Sequence, residues 1–82
     1  MLTAWVLIQT EVGRAGEVAA AVTAIDGVEL SEVTAGPFDF IAKVEASNLD
    51  ALGRLIVSRV QAVPGTLRTL TCPRPGPDRP KT

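Results

Sequence analysis

Thr34-Ala35-Gly36-Pro37-Phe38-Asp39-Phe40 is the stretch that decides the fold. Gly tolerates a positive φ and Pro fixes its own, so Gly36-Pro37 reads as a turn. Upstream, Val28–Thr34 reads as a strand, and downstream Phe38–Ala46 reads as another. The two make a hairpin, with Asp39 just past the bend. Each side of the hairpin then shows the same outline of one strand and one helix.

Working outward, Thr3–Glu11 is β-branched and aromatic enough to favour extended backbone. Its middle is apolar on both alternating faces: Ala4, Val6 and Ile8 on one, Trp5 and Leu7 on the other. A strand of that kind is covered on both sides. Gly13–Ile25 places Ala15, Val18, Ala19, Val22 and Ile25 at helical spacing, and Asp26-Gly27 is a helix stop. The strand Phe38–Ala46 is expected to carry Phe38, Phe40, Ala42 and Val44 on one face and Ile41 on the other. Ser47 is expected to cap the second helix, with Asp50 as its capping-box partner. Leu49, Leu52, Leu55, Ile56, Val60 and Val63 form that helix's apolar stripe, and Pro64-Gly65 ends it. Thr66–Cys72 is a fourth strand.

The order βαββαβ predicts an α+β, ferredoxin-like fold: a four-stranded antiparallel sheet with two helices on one face. Right-handed crossovers put strands one and three at the centre and two and four at the edges. The charges fit, since Glu29, Glu32 and Arg68 fall on the edge strands, where charge discourages further pairing. Residues 1–72 form one domain. Residues 73–82, which hold four of the six prolines, form a tail too polar to build a core and expected to be disordered.

Both helices lie on one face of the sheet, so the other face is bare in a single molecule. Either Trp5 and Leu7 with Ile41, or Ala4, Val6 and Ile8 with Phe38 and Phe40, must point that way. An apolar patch of this size marks an interface, and a homodimer joined through its sheets, in the manner of dimeric α/β barrels, is the expectation.

Composition narrows the chemistry. Of 82 residues none is His and one, Cys72, is a cysteine, so internal disulfides and His-based zinc or catalytic sites are excluded. No metal or cofactor site is expected, and a reduced, cytoplasmic setting is. Apolar runs are too short for a membrane span or a signal peptide. The net charge of −1 divides into about +2 on the tail and −3 on the body, a balance that repels nucleic-acid phosphate. Glu29 and Glu32 read as solubility charges on opposite faces of an edge strand.

At the hairpin, backbone amides near Gly36 can receive a ligand carboxylate and Asp39 a ligand ammonium. The plainer reading has Asp39 bonding the turn backbone. Thr66, Thr69 and Thr71 orient a polar ligand or are ordinary strand residues. Trp5 reads as a core or dimer contact.

These residues resemble the Lrp/AsnC family's C-terminal regulatory (RAM) domain. The likeness spans Leu2–Cys72 and rests on Ala4-Trp5-Val6-Leu7-Ile8, on Val33–Asp39, and on Val63-Pro64-Gly65 with Arg68-Thr69-Leu70-Thr71. The family's hairpin has the form Thr-Gly-x-aromatic-Asp. Here Ala35 is inserted between Thr34 and Gly36. The resemblance implies a domain that dimerises through its sheets and builds tetramers or octamer-like rings. It also implies an amino acid or related metabolite bound between dimers, with Gly36, Pro37, Phe38 and Asp39 lining the site and Thr69 and Thr71 contributing. The family's N-terminal helix-turn-helix has no counterpart ahead of the first strand. The expectation is therefore a stand-alone, non-enzymatic module that co-assembles with a full-length Lrp/AsnC regulator and does not bind DNA itself. Two other readings share the topology: a dimeric α/β-barrel enzyme of the monooxygenase or isomerase kind, and an ACT-like amino-acid-binding domain.

Overall fold

The computed structural model describes residues 2–74. Strands β1 (Leu2–Thr10), β2 (Val28–Val33), β3 (Phe40–Ala46) and β4 (Thr66–Pro73) form one antiparallel sheet in the order β2-β3-β1-β4. Helices α1 (Ala15–Thr23) and α2 (Leu49–Leu55) cover one face. The expected ferredoxin-like order, with strands one and three central, is what the chain adopts. The tail's expected disorder falls on residues 75–82, outside the described residues. Pro73, assigned to that tail from sequence, closes β4, and the Arg74 amide donates to the Thr3 carbonyl at 2.9 Å.

Which apolar set faces the helices is settled by burial. Ala4, Val6 and Ile8 of β1 and Phe40, Ala42 and Val44 of β3 are buried against Val18, Val22, Leu52, Ile56 and Val60. Alternation then leaves Trp5, Leu7, Ile41 and Lys43 on the open face. The pairings Leu7↔Leu70, Trp5↔Cys72 and Gln9↔Arg68 bring Leu70, Cys72 and Arg68 to that same face. Phe38 departs from the expected register. It precedes β3, which starts at Phe40, and belongs to the six-residue loop Thr34–Asp39.

Three local details differ from expectation for physical reasons. The α2 cap is Asn48, not Ser47. Asn48 has the extended backbone a cap requires, with φ −159° and ψ 178°, and its Oδ1 accepts from the Ala51 amide at 2.8 Å. Ser47 lies one residue outside the helix, so Asp50 has no capping-box partner there and contributes only its charge to the first turn. After Leu55 the helix widens into a π-type turn over Ile56–Val60, closed by the Gln61 amide on the Ile56 carbonyl at 2.8 Å. On β2 the register shifts between Val28 and Leu30, and Glu29 occupies the irregularity. The shift turns Glu29 toward Lys43, while Glu32 stands opposite Ile41, so both carboxylates face the open side rather than alternating.

Candidate functional site: the Thr34–Asp39 loop and the open sheet face

The loop is held at both ends and along its length. Gly36 has φ +130°, a conformation L side chains rarely adopt, which is why a glycine stands there. The Thr34 amide donates to the Asp39 carbonyl at 3.0 Å, and the Thr34 hydroxyl to the Phe38 carbonyl at 2.9 Å. The Asp39 amide donates to the Ile8 carbonyl of β1 at 2.8 Å. The Asp39 side chain completes the attachment. Its Oδ2 accepts from the Thr10 amide at 2.7 Å and the Thr10 hydroxyl at 3.1 Å. The Asp39 carboxylate thus bonds Thr10 rather than the turn backbone, and it fastens the loop to the end of the central strand.

Phe38 meets the open face. The Arg68 guanidinium lies 5.8 Å from the centre of its ring. Gln9, opposite Arg68 in the sheet, donates its side-chain amide to the Pro37 carbonyl at 3.3 Å. Gly36 and Pro37 are exposed at the tip. Gly36, Pro37, Phe38 and Asp39 are therefore one contiguous group, as expected of a loop.

Thr69 and Thr71 are not part of it. They pair with Ile8 and Val6, so their side chains turn to the helix layer. The Thr69 hydroxyl accepts from the Gln61 side chain at 2.9 Å. Thr71 lines a cleft of about 350 Å³ between α2 and β4, with Leu52, Ile56, Val57 and Pro73 among its neighbours. Sequence reasoning passed over Gln9, Thr10 and Arg68. Thr10 was hidden because only the fold brings β1's end to the loop. Arg68 was legible as a charge, but the register that sets it beside Phe38 was not. The Thr66 hydroxyl, opposite Thr10, is buried without a partner among the described residues.

The rest of the open face is apolar at its centre and charged at one corner. Trp5 and Leu70 keep 38% and 51% of their surface exposed, and Leu30 keeps 39%, an unusual amount of large apolar surface on adjoining strands. At the corner the Lys43 ammonium lies 5.8 Å from the Trp5 ring centre and 3.4 Å from Glu29 Oε1. The hydrogen bond with Glu29 pushes the Glu45 carboxyl above the usual carboxylate range, with some loss of hydration adding to it. The same bond, with Lys43 beside it, holds Glu29 below that range. Among the described residues no cluster of three or more His, Cys, Asp or Glu is placed to hold a metal ion, and no helix is long and apolar enough to cross a membrane.

Residues 3–73 match the family model of the Lrp/AsnC ligand binding domain. The chain belongs to the Lrp/AsnC family. Among curated proteins this Lrp/AsnC domain is 34% identical over 55 residues to an uncharacterized HTH-type transcriptional regulator of Pyrococcus horikoshii, PH1916. That alignment covers 67% of this chain and 37% of the regulator, so the chain spans little more than a third of its curated relative. Among solved structures, hypothetical protein PHS023 of Pyrococcus horikoshii superposes with a TM-score of 0.86 at 30% identity, covering 94% of this chain and 93% of that one. A more distant fold neighbour is transcriptional regulator NMB0573 of Neisseria meningitidis in an L-Met complex. It has a TM-score of 0.82 at 16% identity, over 99% of this chain and 54% of that one, and shows the fold alone.

Proposed function

We propose that this Lrp/AsnC domain is a non-catalytic regulatory module that pairs with a second copy through its open sheet face. It then takes an amino acid or related small metabolite at the Thr34–Asp39 loops, where pairs meet in a tetramer or ring. The observation that carries the reading is the bare face itself: Trp5, Leu7, Ile41, Leu30 and Leu70 share one side of a single sheet, with no helix over them. Covering what these side chains still expose removes apolar surface from water, and that burial favours pairing. The loop at the rim of that face brings exposed backbone, an aromatic ring and a guanidinium together, which suits a small polar ligand. An L-Met complex of the Neisseria meningitidis neighbour supports a metabolite of this size. The HTH-type regulator among the relatives supports a role in transcriptional control, through co-assembly with a full-length regulator.

A dimeric-barrel enzyme draws no support from the α2–β4 cleft. Its lining is Leu49, Leu52, Gly53, Ile56 and Val57 with Gln61, Thr71 and Pro73, and none of these is an acid or base. Native mass spectrometry with and without each of the standard amino acids tests the proposal. The expected result is a dimer or a multiple of it at rest, redistributed by at least one amino acid. A monomer indifferent to all of them overturns it.

A further inference from the structure

Arg68 puts a positive charge beside the loop that no acid among the described residues pairs with. It enters none of the ion pairs found among the described residues, which join Arg14 to Glu11 and Glu17 and Lys43 to Glu29. Two carboxylates of this end of the sheet have other partners. Glu11 lies 3.1 Å from Arg14, and Asp39 Oδ2 accepts two hydrogen bonds from Thr10. Meanwhile the Phe38 ring, with its centre 5.8 Å away, lies within cation–π range of the guanidinium. A cation–π contact uses none of the guanidinium's N–H groups, and their fork matches the two oxygens of a carboxylate. Gln9, bonded to the Pro37 carbonyl and opposite Arg68 in register, ties the loop to the same spot.

We propose that Arg68 reads the ligand of this domain through a carboxylate, while Asp39 serves as the anchor of the loop and not as the receptor of an ammonium. The ligand class is then small organic acids, with or without an α-amino group. The inference rests on the hairpin being the binding site and deepens that reading. An ammonium gains little here, because the free charge beside the loop has its own sign. A carboxylate gains a bidentate, charge-assisted contact on a preset group.

Titration calorimetry on the whole chain decides it, with leucine, methionine and asparagine as probes. Each is compared with its α-keto acid and with the amine left when its carboxylate is removed. The keto acid of any amino acid that binds is expected to bind within about tenfold of it, and the amine at least about a hundredfold more weakly. Arg68→Gln is expected to weaken both acids roughly ten- to a hundredfold with the native mass unchanged, and Arg68→Lys to recover part of the loss. Amines that match their amino acids, or acids that bind Arg68→Gln as they bind the natural chain, overturn this inference alone. A natural chain silent to every probe overturns the binding-module reading and this inference with it.

Discussion

Glu45 and Glu29 show how much a single side chain's surroundings matter on this sheet. Sequence marks Glu29 as a solubility charge and is silent on Glu45, because their partnership depends on the irregularity that turns Glu29 toward Lys43. Hydrogen-bonded to Glu29, the Glu45 carboxyl keeps its proton to a higher pH in the folded chain than in the unfolded one. Its contribution therefore favours folding below the unfolded value and is lost as pH rises through the folded value. Glu29 is shifted the other way, so its own contribution is present at neutral pH and fades in acid. Glu45→Gln mimics the protonated partner and removes the like-charge contact. A small rise in thermal midpoint near neutral pH is expected, disappearing in mild acid, when melting is followed by circular dichroism across that range. Asp39 teaches the same lesson from the other direction. Its position after a Gly-Pro bend was plain in the sequence, but its partner, Thr10, lies 29 residues away and appears only when β1 and β3 are side by side.

At the scale of elements, most of the architecture was readable because pattern and topology agree. Helical spacing of Val18 and Val22 and alternation of Phe40, Ala42 and Val44 point these residues at one core, and they are found buried. Element ends were less legible, since they turn on which of two adjacent polar residues captures an amide. Ser47 and Asn48 are both good caps; the longer Asn48 side chain, on extended backbone, reaches Ala51. Asn48→Ala is expected to cost about 1 kcal/mol in urea unfolding, while Ser47→Ala changes little. The π-type turn after Leu55 was not legible at all. It adds one residue to the helix repeat without changing the apolar stripe, so Ile56 and Val60 remain in the core either way.

The whole molecule is a sheet with one covered side, and the proposed pairing rests on the other. Because Trp5, Leu7 and Leu70 lie side by side across β1 and β4, a charge placed among them opposes any covering of that face. Leu70→Glu is expected to leave the monomer folded, since Leu70 is 51% exposed, and to lower the mass to that of a single chain in native mass spectrometry. That the face is apolar was evident from the sequence of β1; which of its two sides is left bare was not, because both alternating sets are greasy. The Thr10–Asp39 clamp gives this arrangement a mechanical corollary. The strand gripped by the loop at one end also carries Trp5 and Leu7 outward along its length, and a hydrogen-bonded strand shifts as a rod. In the proposed dimer, a pull on the loop tip would therefore reach the very row of side chains on which the two copies sit, giving the proposed sensing and assembly a common axle.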